Sequence, residues 1–488
     1  MATIGRPVGS ETLMGRDVLP AERAALGLDD EGRRDGVHGD DLDRAEAISN
    51  GRRPTEPDRG PRDPGAYFDP KEGFVPSRLG NEVQGAGRLR VGLDHRLWRY
   101  DVGAYRPDGD AYVAGFVRGA LGERYRRRHL DEVMSWCRAE FPSIPERPDT
   151  GVLNVANGLL DWRTGELRPH DPDFPSIVQL PVRWDEDATC PGIDRFLGEV
   201  LPEDATGLAL ELAGYCLYAD QPLRKAGMLL GAGRNGKSVF LGILRGLLGP
   251  ANVASVPLQE LGESRFAAAE MYGKLANLCG DLDARALRRS DVFKILTGGT
   301  DSIMAERKYR DPFYFVPFAT MIFSANEPPA SSDQTDAYFD RWLVLPFPRR
   351  FTEAEADPHL LGTLTTPEEL SGLLFKSVLA LGDLLDRGRF DLPASVREAG
   401  SAYRDTIDTV AAFLEESCVI SLTARVTRPA LYQAYRTWCE RNGRLPVSQQ
   451  HFVPRVRQEL GAVEIGEGKL GHGAERGWTG FGLREEPK

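Results

Sequence analysis

Apolar residues change their period several times along the chain, and each change predicts an element. Over Leu89–Tyr105 apolar and polar positions alternate, Trp98 and Tyr100 among them, which predicts a small β-hairpin. Ala111–Tyr125 and His129–Glu140 switch to helical spacing. Leu153–Trp162 reads strand, turn, strand, with Asn157-Gly158 as the turn signal. Phe196, Leu197, Val200, Leu208, Leu210, Leu212 and Leu217 predict helices over 191–224. From there to about residue 350, short apolar runs alternate with helical stretches, the signature of an α/β layer. Helices follow to about 417, and a compact unit follows over 418–484. Ahead of Ala66-Tyr67-Phe68-Asp69 the chain is rich in Gly, Pro, Asp, Glu and Arg. It shows no sustained periodicity there, which predicts a largely disordered segment with a short helix around Leu19–Leu26.

At 488 residues the chain exceeds what one core serves, so roughly two to four domains are expected. No apolar run reaches the ~18 residues of a membrane span. The N-terminus lacks a basic-then-apolar signal, and a cytoplasmic location is expected. Six scattered cysteines form no CxxC pair and no Cys/His cluster, which argues against a zinc site or a disulfide framework and for buried free thiols. The net charge of −12 counts against a protein that coats DNA with its whole surface. It leaves room for a ring or cleft presenting a few cations locally, because the field depends on the distribution of charge.

The most specific signal is Gly231-Ala-Gly233-Arg-Asn235-Gly236-Lys237-Ser238, which satisfies GxxxxGK[ST] at every position. An apolar strand, Gly227–Leu230, leads in, and Val239–Leu248 continues at helical spacing. Glycines let backbone N–H groups close around phosphates, and the helix N-terminus adds its positive end. Gly231, Gly233, Asn235, Gly236, Lys237, Ser238 and Val239 are therefore the candidate nucleotide contacts, with Lys237 on the β/γ-phosphates and Ser238 on Mg²⁺.

Hydrolysis also needs acid and amide groups near the phosphates. Lys274–Asp283 is an apolar strand ending in Asp281 and Asp283, two residues apart and so on one side of an extended chain. Asp281 would hold the metal and Asp283 would polarise the attacking water. Thr320–Asn326 is a second apolar strand, and Asn326 at its end is placed to orient that water, or equally to cap a turn. Between them, Phe293–Arg310 interleaves charge with Tyr309 after a Gly-Gly hinge, a composition suited to phosphates and bases and equally to a solvated basic loop.

Taken in order, the phosphate loop, the acidic strand, the phrase Lys294…Thr297-Gly-Gly-Thr-Asp301…Ala305…Lys308 and the strand ending in Asn326 resemble the superfamily 3 helicases. Within them they are most similar to the helicase portion of phage and plasmid primase–helicases related to the poxvirus nucleoside triphosphatase. Asn157–Asp161, Pro169–Pro172, Ala188–Pro191 and the arginine-bearing Phe339–Phe347 extend the likeness over about 66–484. The resemblance implies an α/β chain: an AAA+-like P-loop NTPase core with an α+β N-terminal domain and a C-terminal winged helix. The boundaries expected are a disordered segment to 65, an N-terminal domain over 66–190 and a helical collar over 191–225. The core would then span 226–350, a helical segment 351–417 and the winged helix 418–488.

The same resemblance implies ATP or another NTP with Mg²⁺, single-stranded and forked DNA, and a homo-hexameric ring encoded by a phage or its bacterial host. A separate primase or replication-initiation partner is implied too, and no membrane. Lys294, Arg307 and Lys308 would face the pore. Arg341 would reach a neighbour's nucleotide, with Arg349 and Arg350 as alternatives because Asp340-Arg341 stands where two arginines are frequent. An extra Thr300 shifts Asp301 within its loop.

In the winged-helix reading, Pro429–Arg441 carries Leu431, Tyr435 and Trp438 on one face. Val447–Leu460 presents Arg455 and Arg457 to DNA, and Ala462–Leu483 forms the wing. A small domain that packs only on the motor is the alternative. Asp41-Leu42-Asp43 near His38 mimics a metal motif but has no apolar strand beneath it, so no primer synthesis is expected of this chain. Two other classes compete with the helicase reading. A P-loop switch or assembly protein would not need the basic stretch around Lys308, and a small-molecule phosphotransferase would need an arginine-rich lid that is not found.

Overall fold

Residues 63–488 are described by the computed structural model, apart from 281, 283–289, 330, 332, 334, 445, 461–465, 471–474 and 485–488. The expectations for the first 62 residues therefore lie outside the described residues, as do Asp281 and Asp283. The elements described below belong to the compact unit Tyr67–Lys488.

Its first module comprises helix α1 (Pro76–Gly87), strands β1 (Leu89–Val91), β2 (Leu97–Asp101) and β3 (Ala104–Arg106), and helices α2 (Gly109–Leu121) and α3 (Arg127–Glu140). The three strands form an antiparallel sheet in chain order. The pairs Leu79/Val83, Val113/Val117 and Val133/Cys137 recur at i,i+4, so each helix turns one stripe inward. A hairpin follows, β4 (Val152–Val155) and β5 (Gly158–Asp161). Its turn is Ala156-Asn157, one residue earlier than the Asn-Gly signal placed it, because Gly158 already pairs with Val155. The Asn157 side chain instead holds the segment at Trp184, donating to its carbonyl at 3.0 Å and accepting its amide at 2.8 Å.

Helices α4 (Pro191–Val200) and α5 (Thr206–Leu217) lead into the main layer. It contains β6 (Ala226–Leu230), α6 (Lys237–Leu248), β7 (Val253–Ala254), β8 (Ala276–Cys279) and α7 (Ser290–Leu296). The hairpin β9 (Ile303–Ala305) and β10 (Phe313–Phe315) precedes β11 (Thr320–Ala325) and β12 (Trp342–Pro346). Five of these strands make a parallel sheet in the order β7-β8-β11-β6-β12. Parallel strands covered on both faces read as continuous apolar runs, and β11 is buried throughout. Leu229, Ile322, Leu343 and Leu345 point to the face that α4, α5 and α6 cover. Met228, Met321, Phe323 and Val344, one residue out of phase, point to the other.

After the sheet come α8 (Pro367–Arg387), α9 (Ala394–Ile407) and α10 (Thr409–Ser417). The Glu369 carboxylate caps α4 by accepting the Gly192 and Ile193 amides at 2.9 Å each. The chain ends in β13 (Cys418–Thr427), α11 (Arg428–Arg441), α12 (Gln449–Leu460), β14 (Gly466–Lys469) and β15 (Arg476–Leu483). The last sheet has the order β13-β15-β14. Strand β13 was not anticipated. A register shift between Ile420 and Arg425 breaks its alternation and leaves Leu422 almost fully exposed. All six cysteines are buried free thiols. Among the described residues, no helix is long and apolar enough to cross a membrane.

Candidate functional site

The loop Gly231–Gly236 leaves the carboxyl end of β6, between β11 and β12 in the sheet, and returns as α6. Gly231 donates its amide to Ala325 O at 3.2 Å and so sits against β11. A Cβ on Gly231 would collide with Asn235 Nδ2 and Phe347 O, so a side chain is excluded here by contact. Gly236 turns the chain into the helix at φ +90°.

Lys237 is the first residue of α6, and only 5% of it is exposed. Its Nζ donates to Gly231 O, to Asn235 Oδ1 at 3.0 Å and to Asn326 Oδ1 at 3.3 Å. Asn235 is itself buried and donates to Phe347 O at 3.2 Å. The loop and the end of β11 thus converge on one ammonium, and Asn235 ties that point to the end of β12. Ser238 is exposed on the first turn, and Val239 packs half-buried against the core.

Strand β8 runs beside β11, and the amide of Leu282 donates to Ser324 O at 2.8 Å. Asp281 and Asp283 flank Leu282 in sequence and lie outside the described residues. Asn326 is exposed just past β11.

Arg341 sits at the opposite end of the sheet. Strand β12 pairs with β6 in register from Trp342–Ala226 to Pro346–Leu230, so Arg341 precedes the strands whose far ends carry the loop. Its guanidinium donates to Thr297 Oγ1 at 3.0 Å and to Ala337 O. Burial, and then the neighbouring Arg224 guanidinium, lower its pKa. Arg224 was not singled out from the sequence, where the Arg224-Lys225 pair reads as an ordinary strand entry. Arg349 and Arg350 follow β12 at the loop end; Arg349 pairs with Glu355 at 3.3 Å and reaches Glu199 at 3.8 Å.

The cations expected to meet DNA are held very differently from one another. Lys294, on α7, pairs with Asp333 at 2.6 Å. Lys308 and Tyr309 stand exposed at the tip between β9 and β10, Tyr309 fully so with φ +64°. Arg307 lies within 3.5 Å of the buried Asp94 and donates to Ala269 O at 3.3 Å. Burial and Arg96 lower its pKa. Arg310 pairs with Asp110 at 2.6 Å. In the last module Arg455 pairs with Asp408 and, at 2.8 Å, with Glu459, while Arg457 pairs with Glu467 at 2.8 Å. Apart from Glu459, an i,i+4 neighbour of Arg455, these partner carboxylates are remote in sequence, as Asp94 is from Arg307, so spacing alone did not reveal them.

Comparison with known proteins accounts for three stretches of the chain. Residues 118–202 match a family described as D5 N terminal like, and residues 405–463 match one described as Poxvirus D5 protein-like. Residues 229–341 match a family of unknown function, DUF5906. A protein of Acanthamoeba polyphaga mimivirus, described as a candidate helicase, is 27% identical over 214 residues. The match takes in 41% of this chain and 22% of that protein, so the chain spans about a fifth of its relative's length. The apo C-terminal region of NrS-1 is 12% identical at a TM-score of 0.48, covering 83% of this chain and 99% of that one. An A-form apo structure of the same region gives 11% and 0.46, covering 82% and 98%. The D5-like stretches and the mimivirus relative support a primase–helicase-like family of phages and viruses for this chain.

Proposed function

We propose that the chain is a nucleoside triphosphatase that drives a replicative DNA helicase, with the phosphates of ATP or another NTP held by Gly231–Ser238. The observation that carries this reading is the buried Lys237 ammonium, on which Gly231 O, Asn235 Oδ1 and Asn326 Oδ1 converge. A buried ammonium is costly unless well compensated, and phosphate oxygens are stronger partners than neutral amide and carbonyl oxygens. The sheet order, with the loop strand between the strand ending in Asn326 and β12, fits an AAA+-like core.

Mg²⁺, when bound, neutralises charge developing on the phosphates. The exposed hydroxyl of Ser238 suits it, and Asp281 would complete the holding pair. Asn326, beside Lys237, would orient the attacking water, and Asp283 would polarise it. The backbone amides of the loop, with the N-terminus of α6, would bind and orient the phosphates.

Arg341 would complete the site of a neighbouring subunit in a hexameric ring. About five residues of strand, on the order of 16 Å, separate its level from the loop, too far to serve its own nucleotide. Arg224 beside it would supply a second guanidinium at that face. Lys308 and Tyr309, the exposed tip of the β9–β10 hairpin, would grip single-stranded DNA, with Arg307 bracing the hairpin and Lys294 joining them only on leaving Asp333. Helices α11 and α12 with β14 and β15 form the winged-helix module in this reading, where Arg455 and Arg457 would first have to leave their carboxylates.

The test is ATP hydrolysis with and without single-stranded DNA, for the wild type and Lys237→Ala. DNA stimulation that the variant lacks supports the motor. Internal pairing of Lys294, Arg307, Arg455 and Arg457 favours the second reading, a P-loop switch that unwinds nothing. Hydrolysis that depends on Lys237 but ignores DNA would decide for that switch.

A further inference from the structure

Arginines concentrate where α3 begins. Arg124, Arg126, Arg127 and Arg128 fall within five residues, and all four are exposed, in a chain whose net charge is −12. Their contacts are local. Arg124 lies over the Phe68 ring at 5.5 Å, and Arg126 donates to Glu123 O at 3.0 Å and Tyr125 O at 2.7 Å. Arg127 pairs with Asp131 at 3.0 Å, and Arg128 Nε lies 3.4 Å from His129 Nε2. Each guanidinium has five N–H donors, and these contacts engage only part of them. The Arg127–Asp131 pair is an exposed i,i+4 pair, weak and screened by salt, so a phosphate can replace the carboxylate.

The cluster opens into a groove. Arg127, Leu130, Asp131, Met134 and Arg138 follow one another at helical spacing and share a face of α3. Against α2 they line a groove of about 270 Å³. At its far end Asp110 accepts two guanidinium groups, Arg138 at 3.2 Å and Arg310 at 2.6 Å, so one carboxylate is shared by two cations. Arg310 is two residues from Lys308, so the groove ends on the hairpin. From Arg127 to Arg138 the helix rises on the order of 16 Å, room for about five phosphates at duplex spacing.

We propose that the α2–α3 face is a second nucleic-acid surface, along which the phosphodiester backbone of forked DNA lies before its strand reaches the hairpin. This rests on the helicase reading for its direction, while the surface itself is defined by the arginines. Continuity through Arg310 and the exposed Tyr309 to Lys308 selects nucleic acid over an acidic protein, since an aromatic ring set between cations suits bases and phosphates. Backbone contact of this kind is independent of sequence and steeply dependent on salt.

The experiment is fluorescence anisotropy of labelled forked DNA with the full chain over a salt series. It compares the wild type, the triple variant Arg126→Glu/Arg127→Glu/Arg128→Glu, its triple Lys counterpart, and Lys308→Ala. The Glu variant is expected to bind at least about tenfold more weakly near 0.15 M salt. Its log–log salt slope should be shallower by about two units, from three lost contacts at ~0.7–0.9 each. The Lys variant should keep both affinity and slope. Wild-type affinity and slope in the Glu variant overturn the proposal, as does equal loss in the Lys variant, which would point to damaged packing. Loss in the Glu variant with Lys308→Ala unaffected sustains this surface and removes the hairpin from the helicase reading. The reverse pattern sustains the hairpin and overturns this surface.

Discussion

The phosphate loop and the basic hairpin place their cations under opposite constraints. Lys237 is buried and held by three oxygens from two segments, the loop and the end of β11, so its position is fixed before any ligand arrives. Lys308 is exposed on a tip whose flanking arginines are the groups held down, by Asp94 and Asp110. A site for a small, constant anion is built by backbone geometry and leaves a fixed spacing in the sequence. A site for a long, variable polyanion needs only charge on a rigid mount, and the mount is assembled from remote residues.

The largest effect expected from this contrast lies in the proposed ring. Lys237→Ala should lower hydrolysis by at least about 10²-fold, and Arg341→Ala by about 10³-fold or more. Mixing the two inactive variants should restore part of the rate, because some interfaces then join an intact loop to an intact arginine. Titration of one variant into the other, read by phosphate release, checks this. No recovery at any ratio would return Arg341 to a role within its own subunit.

Next in size, Gly231→Ala tests whether the loop is fixed by contact. The added methyl meets Asn235 and Phe347, and overpacking of this kind costs about 1–3 kcal/mol. A lowered thermal midpoint with weaker nucleotide binding is expected, and an unchanged midpoint would show a loop softer than its packing indicates. Lys308→Ala probes the exposed side of the comparison. It should cut DNA stimulation of hydrolysis and flatten the salt slope for single-stranded DNA by about 0.7.

The smallest effect concerns Glu467. Hydrogen bonds from Arg457, with Arg428 adding to them, hold its carboxyl down at about 2, against an ordinary 4.5. A depressed carboxylate contributes stability that is fully present above its ordinary value and lost as pH falls toward its folded one. The last module should therefore weaken between about pH 4.5 and 2, and Glu467→Gln should remove that dependence. Fluorescence of the buried Trp478, over which Arg428 lies at 5.9 Å, reports the transition.

The sequence made the central layer legible because its strands are apolar throughout and its loop has a fixed spacing. Leu229 and Ile322 mark one face and Met228 and Phe323 the other, a period that burial on both sides demands. The three-stranded N-terminal sheet was read as a hairpin because β1 has only three residues, too few for alternation to register. Strand β13 was unread because its register shift breaks the pattern at Ser421–Ala424. The pairing of Lys294 with Asp333, or of Arg307 with Asp94, depends on tertiary contact, so a basic stretch in sequence could not distinguish free cations from satisfied ones.

The two arginines on either side of Lys308 also have a mechanical meaning. Arg307 reaches Asp94 ahead of β2, and Arg310 reaches Asp110 at the start of α2, so the hairpin is fastened at two points to the N-terminal module. The amide of Leu93 adds an indirect fastening, donating at 3.2 Å to the hydroxyl of Tyr272, whose ring packs against Phe313 and Phe315 of β10. A hairpin held this way cannot swing as a loose finger. Any stroke it makes either carries the whole module with it or first breaks ion pairs, one of them on a buried carboxylate. The hairpin and that module therefore act as a single lever arm, with a load borne at the tip spread over the cores of two packed layers.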